Sequence, residues 1–213
     1  MTESLCIYCA AKREFNDDEL CVLYFMRHGR TEHNALSICT GSFDEPLNEE
    51  GIQQANAAAH VLSTNGTQPQ AVVSSPLQRA YATAQIIAKA FGLPVGVDER
   101  LRERCVGELE GKPETPESDA QLLYYGYLPL GATPLVQFEY ETLKFLSDCI
   151  KGIFPSGTLF VTHSFRLLTI IKLVRIFHVS DIVNYTPPRN CEVISFIATK
   201  EPCSMCGSFF VEK

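Results

Sequence analysis

The chain alternates short, continuous apolar runs with longer stretches in which apolar side chains recur every three or four positions. Cys21-Val22-Leu23-Tyr24-Phe25-Met26 is unbroken, the pattern of a strand covered on both faces. Over "NEEGIQQANAAAHVLSTNG" (48–66), Ile52, Ala55, Ala59 and Leu62 fall on one stripe at helical spacing, with acidic residues in the first turn and Gly66 past the end, which predicts an amphipathic helix. "AVVSSP" (71–76) predicts a strand broken by Pro76, and 77–92 a helix that Gly92 stops. Further on, the pattern predicts a helix over 135–151, a strand over 158–163, a helix over 165–178, and strands around 191–198 and 208–212. Residues 111–134 hold no period and are rich in Pro, Gly and Thr, so they read as an irregular excursion. The strand-helix alternation is that of an α/β fold.

With 213 residues, 46% of them hydrophobic, the chain can bury one substantial core, which predicts a single domain over 1–213 with its core at about 22–198 and cysteine-bearing terminal segments at 1–20 and 199–213. No apolar run approaches the roughly 20 residues that cross a bilayer, and acidic Glu3 near the start does not suit a signal peptide, so the expected address is cytoplasmic. A net charge of -7 disfavours nucleic acid or an anionic membrane as partner, and any anion site must be local. The nine cysteines, an odd number, do not resemble a secreted disulfide framework. Cys39, Cys105, Cys149 and Cys191 stand singly and read as reduced thiols.

Polarity arrives abruptly after the first apolar run, as Arg27 and His28. In an open parallel sheet, ligands gather at the carboxyl ends of strands, where following helices present free N–H groups. His163 closes "LFVTH" in the same way, and Arg79 lies at the start of the helix after "AVVSS". Two imidazoles and two guanidiniums delivered to one rim make a pocket for a dianion, the guanidiniums offering forked donors that match phosphate oxygens.

The segment "RHGRTEHN" (27–34) resembles the R-H-G-x-T-x-x-N signature of the histidine phosphatase (phosphoglycerate mutase-like) superfamily. Other landmarks follow in that family's order: "GSFDEPLNEEGIQQA", "SSPLQRAYATA", "LRERCVGELEG" and "VTHS". The resemblance implies a three-layer α/β/α sandwich around a mostly parallel sheet. It implies that His28 is a nucleophile that becomes phosphorylated, that Arg27, Arg79 and His163 neutralise the phosphoryl oxygens, and that Thr31 and Asn34 are auxiliary phosphate donors. Arg104 and Ser164 are further expected to contact phosphate or substrate. Glu103 is implied as general acid and then general base; by composition alone Glu108 and Glu110 compete for that role.

Within the superfamily, departures favour a phosphatase over a mutase. Ser164 stands where Gly is usual, Val106 replaces a substrate-holding tyrosine, and no paired arginines occur in 111–150 to receive the carboxylate of a phosphoglycerate. The expected activity is hydrolysis of a small phosphomonoester, such as a sugar phosphate, with no cofactor required for catalysis. The alternatives are a phosphoglycerate mutase and a catalytically silent relative that binds phosphorylated ligands. Tyr124, Tyr125 and Tyr127 are expected to pack onto the core, with a sugar or aryl pocket as the other reading. The sequence leaves the oligomeric state open.

Two C-x-x-C pairs mark the ends, "CIYC" at Cys6 and Cys9 and "CSMC" at Cys203 and Cys206. If the first and last strands bring both tails to the edge opposite the active rim, four thiolates can hold a structural zinc; a reversible disulfide or plain thiols are the alternatives.

Overall fold

In the computed structural model, which describes residues 21–175, 188–198 and 210–212, six strands form one sheet. They are β1 (Cys21–Arg27), β2 (Ala71–Ser74), β3 (Val95–Val97), β4 (Thr158–Thr162), β5 (Val193–Ala198) and β6 (Phe210–Glu212), in spatial order β3-β2-β4-β1-β5-β6. Strands β3, β2, β4 and β1 are parallel, and β5 and β6 add on antiparallel. The helices are α1 (Glu32–Leu36), α2 (Glu49–Thr64), α3 (Gln78–Phe91), α4 (Pro116–Leu122), α5 (Leu135–Ile150) and α6 (Ser164–Arg175).

The two-residue period of the central strands divides the core into two layers. Met26, Leu159 and Val161 face Ala59 and Leu62 of α2 and Ala80, Ala84, Ile87 and Ala88 of α3. Leu23, Phe25, Phe160 and Phe196 face Phe145, Leu146 and Cys149 of α5 and Leu167, Ile170, Ile171 and Val174 of α6. The result is the three-layer α/β/α sandwich. The first layer is lined with alanines, which lets α2 and α3 lie close together, whereas the second is filled by aromatic rings. Phe160 is the hub of those rings, its centroid 5.1 Å from Phe25, 5.0 Å from Phe145 and 4.9 Å from Phe154.

Three local expectations are corrected. The buried stripe of α2 is Gly51, Ala55, Ala59 and Leu62, and Ile52 is exposed. Backbone contact sets this phase: a Cβ on Gly51 would lie 2.1 Å from the Arg30 carbonyl oxygen, and one on Gly29 would lie 2.5 Å from that of Gly51. The helix is therefore turned so that its glycine, not its isoleucine, meets the loop after β1. Within 111–134, the expected irregular stretch contains α4. Strand β3 and the short 3₁₀ turns at 99–101 and 107–109 lie in stretches given no element from the sequence. The C-terminal part of the helix predicted over 165–178, and Cys6, Cys9, Cys203 and Cys206 with the zinc reading that depends on them, lie outside the described residues.

Removing the hub ring leaves a cavity that its three ring neighbours cannot fill. Phe160→Ala is expected to cost about 3–5 kcal/mol, read as a lower urea midpoint with an unchanged m-value.

Candidate active site

Strands β2, β4 and β1 are adjacent and parallel, so their carboxyl ends open on one rim. The ladder continues past the strands: the His28 N–H donates to the Thr162 carbonyl at 2.9 Å, and the Ser75 N–H to that of Val161 at 2.9 Å. His28 and His163 therefore leave neighbouring strand ends side by side, both fully buried, with ring centroids 5.1 Å apart. Arg79 reaches them from the first turn of α3 and is 1% exposed.

Two hydrogen bonds fix the state of His28. Its Nδ1 lies 2.7 Å from the Gly29 carbonyl oxygen, which can only accept, so Nδ1 carries the proton. Its Nε2 lies 3.2 Å from Arg79 Nε, which can only donate, so Nε2 keeps its lone pair. Burial, reinforced by the positive charges of Arg79 and Arg27, holds the imidazole well below the ordinary histidine range, despite the opposing effect of the Gly29 bond. Burial likewise depresses His163, with Arg79, His28, Arg166 and Arg27 acting in the same direction. His163 Nε2 pairs with the Ser75 hydroxyl at 2.7 Å. Arg27 Nε and His163 Nδ1 are buried without a protein hydrogen-bond partner, and phosphoryl oxygens are acceptors that N–H groups there can meet.

The loop over 41–45 holds Arg79 against His28. The Arg79 guanidinium donates through Nη1 to Phe43 O at 2.7 Å and through Nη2 to Gly41 O at 2.9 Å. Three carboxylates in turn hold this loop. Asp44 Oδ1 accepts from the Gln78 N–H at 2.7 Å, capping a helix that has no side-chain cap of its own. Buried Glu45 accepts from the Thr40 hydroxyl and the His33 N–H. Glu110 Oε1 accepts from the Ser42 N–H, the Ser42 hydroxyl and the Val106 N–H. Gly41 sits so close beneath Glu110, at φ +52, that a Cβ there would lie 2.5 Å from Glu110 Oε1.

Glu103 lies among the cations. Its Oε1 accepts from the Arg104 N–H and its Oε2 from the Phe165 N–H, both at 2.9 Å, which seats the carboxylate at the amino end of α6. Its negative charge acts on Arg27, Arg79, Arg104 and Arg166, opposing the lowering that burial imposes on each. Glu108 is exposed, with Oε1 accepting from the Leu130 N–H, and Glu110 is bound to the loop, so of the three glutamates Glu103 is the one among the site's arginines.

The structure thus brings His28, Arg27, Arg79, His163 and Glu103 together. Other expected contacts go elsewhere. Thr31 is buried and caps α1, its Oγ1 accepting from the Asn34 N–H at 3.2 Å. Asn34 faces a neighbouring cleft, with its Oδ1 3.3 Å from Asn190 Nδ2. Arg104 donates through Nε to Thr133 O and through Nη1 to Leu122 O, and lies over the Phe165 ring; it ties down the segment over 111–134. Ser164 begins α6. Tyr124 and Tyr125 are exposed rather than packed on the core, Tyr125 being held by its hydroxyl to Glu139 and Lys172.

Residues not singled out from the sequence also shape the site. Ser75 pairs with His163, and its place just past a strand end was the available signal. Asn190 Nδ2 donates to the His28 carbonyl at 2.8 Å from 162 residues away, with no periodic signal around it. Arg166 is buried against Phe138, donating to Arg102 O, Phe138 O and Thr142 Oγ1, which braces α6 behind His163.

Two neighbouring imidazoles, two guanidiniums and a carboxylate thus meet on the rim of an α/β/α sandwich, a donor-rich arrangement whose shape and charge fit a phosphoryl group. The chain belongs to the histidine phosphatase superfamily (branch 1), whose profile matches residues 23–200. It is 45% identical over 89 residues to the glucosyl-3-phosphoglycerate phosphatase of Mycolicibacterium vanbaalenii, covering 42% of this chain and 39% of that protein. It is 42% identical over 100 residues to the probable phosphoglycerate mutase GpmB of Yersinia pestis, covering 46% of each. The matches thus span less than half the length of these relatives. Among solved structures, a mycobacterial glucosyl-3-phosphoglycerate phosphatase complexed with VO3 has the same fold, with a TM-score of 0.75 at 24% identity over 91% of this chain and 97% of that one. A putative alpha-ribazole-5'-P phosphatase from Escherichia coli is similar, with a TM-score of 0.74 at 20% identity over 91% and 94%.

The two buried neutral imidazoles make stability depend on pH. Each has its folded pKa depressed below its unfolded value near 6.5, so the stability is present above pH 6.5 and is lost as pH falls toward the folded values. Between pH 7 and pH 5.5, stability measured by urea unfolding is expected to fall as the unfolded chain takes up protons that the two buried imidazoles refuse. Glu110→Ala, which frees the loop that holds Arg79, is expected to weaken orthophosphate binding about tenfold, whereas Glu110→Gln, which keeps a carbonyl acceptor, should stay within about threefold; calorimetric titration measures both.

Proposed function

We propose that this protein is a phosphomonoesterase that works through a phosphohistidine at position 28. The observation that carries the reading is the tautomer of His28: Nδ1–H is given to the Gly29 carbonyl, and the lone pair of Nε2 is held among Arg79, Arg27 and His163. A depressed pKa keeps that lone pair available at neutral pH and below it.

In the first step Nε2 attacks phosphorus and the bond to the ester oxygen breaks. Protonated Glu103 gives its proton to the departing alkoxide, and the alcohol leaves. In the second step water attacks the phosphohistidine, Glu103 as carboxylate takes the water's proton, and the N–P bond breaks to release orthophosphate and neutral His28. Arg27, Arg79 and His163 stabilise the equatorial oxygens throughout, as donors held in place by the fold. The protein's own cations supply this charge, so no step calls on a metal or cofactor.

Hydrolysis is preferred over mutase chemistry because Val106, buried beside Cys39 and Leu122, leaves no polar group where a mutase holds its substrate through a tyrosine. Small phosphorylated metabolites such as sugar phosphates are the substrate class, and a cytoplasmic setting suits both them and reduced thiols. The relatives named as glucosyl-3-phosphoglycerate phosphatases support hydrolysis of a phosphomonoester.

The test is p-nitrophenyl phosphate turnover with capture of the phosphoenzyme by an alkaline detergent quench. The parent is expected to form an acid-labile phosphoenzyme that His28→Ala lacks, and Glu103→Gln should slow turnover about 10²–10⁴-fold while leaving orthophosphate affinity near the parent value. Turnover by His28→Ala at the parent rate would overturn the reading.

A further inference from the structure

The two imidazoles at the rim are tied down differently. On His28 the ring nitrogen nearer the backbone, Nδ1, meets a carbonyl oxygen. On His163 the far nitrogen, Nε2, has the partner, the Ser75 hydroxyl at 2.7 Å, while Nδ1 is buried without a partner among the described residues. A carbonyl can only accept, which decides the state of His28. A hydroxyl can donate or accept, so the state of His163 follows from what else the Ser75 hydroxyl has to do.

Ser75 is fully buried, and its surroundings fix the hydroxyl. Its N–H donates to the Val161 carbonyl, two residues before His163, which ties the end of β2 to the end of β4. Pro76 has no N–H, and the next one along, on Leu77, donates to Ser75 Oγ at 3.3 Å. The neighbouring Ser74 hydroxyl goes to the Ser75 carbonyl and does not compete for Oγ. With its oxygen already receiving the Leu77 N–H, the Ser75 hydroxyl still has its own proton to place, and among the described residues its acceptor is His163 Nε2. A proton on Nε2 would instead leave the serine proton buried without an acceptor. Burial and the surrounding guanidiniums keep the ring neutral, so its single proton lies on Nδ1.

We infer that Ser75 is a positioning residue whose hydroxyl holds His163 as the Nδ1–H tautomer, so that the second imidazole offers the phosphoryl group a donor where the first offers it a lone pair. Both rings then carry the proton on the same nitrogen, and the difference in their roles comes from which nitrogen the fold has already engaged. With the proton on Nε2, His163 Nδ1 would turn a lone pair toward the phosphoryl oxygens and repel them. The inference rests on the phosphomonoesterase reading only for the identity of the group that Nδ1–H meets.

The experiment records imidazole nitrogen–proton correlations by NMR on the full-chain protein, labelled with heavy nitrogen and free of phosphate, at neutral pH, with the His163 ring assigned through bonds from its own backbone. The parent is expected to show a proton on His163 Nδ1 and none on Nε2. Ser75→Ala, checked for folding by circular dichroism, is expected to lose that preference, seen as a His163 Nε2–H signal, and to bind orthophosphate about tenfold more weakly by titration calorimetry. The tautomer is a readout that a packing role for Ser75 would leave alone. A His163 ring protonated on Nε2 in the parent, alone or together with Nδ1, overturns the inference, as does a folded Ser75→Ala protein that keeps either the parent tautomer or the parent affinity. Should Ser75→Ala fail to fold, the parent spectrum decides by itself. The two readings fail separately: a parent that never becomes phosphorylated while His163 carries its proton on Nδ1 loses the phosphomonoesterase reading alone, and a proton on Nε2 in a protein that turns over through His28 loses the Ser75 inference alone.

Discussion

The site depends on one short hydrogen bond, from His28 Nδ1 to the carbonyl of the next residue, Gly29. It makes the tautomer a property of the backbone, so the Nε2 lone pair needs no separate base to free it. The glycine is required for a reason of packing. Its missing Cβ lets the loop approach Gly51 of α2, and the same contact fixes the phase of that helix. The Gly29 N–H then donates to Thr83 Oγ1, whose hydroxyl donates to the Arg79 carbonyl. The backbone that orients the imidazole is thereby joined to the helix that carries its guanidinium partner.

An acidic protein with a cationic centre has to keep its carboxylates occupied. Asp44 ties the loop over 40–45 to the Gln78 N–H of α3, and Glu45 and Glu110 accept from Thr40 and Ser42 within it; none of the three bonds to the arginine itself. Arg79 meets that loop through carbonyl oxygens. The distinction matters electrostatically. Carbonyl dipoles hold a guanidinium in place without pairing it to a carboxylate, so its positive charge still acts on His28.

Much of the centre was legible from the chain itself. An apolar run that ends in a sudden Arg-His, a second that ends in His163, and Arg79 just beyond a third are strand-end chemistry, and strand order needed only the α/β rhythm to bring them together. What could not be read depends on distant backbone. Ile52 looks like core by period, yet Gly51 takes that place because of a contact with Arg30. Arg104 is expected to contact phosphate or substrate, but the carbonyls that engage it come from Leu122 and Thr133, and no local pattern announces such partners. β3, three residues including Gly96, is too short to show a period.

The seat of Glu103 has a mechanical side. Its two oxygens rest on main-chain N–H groups, one of them from the first turn of α6, and the residue immediately before that helix is His163. Acid and second imidazole therefore ride on a common rigid piece, braced from behind by Arg166 on the Phe138 ring. Any shift of the start of α6 would therefore move the support of the Glu103 carboxylate and the residue next to His163 as one.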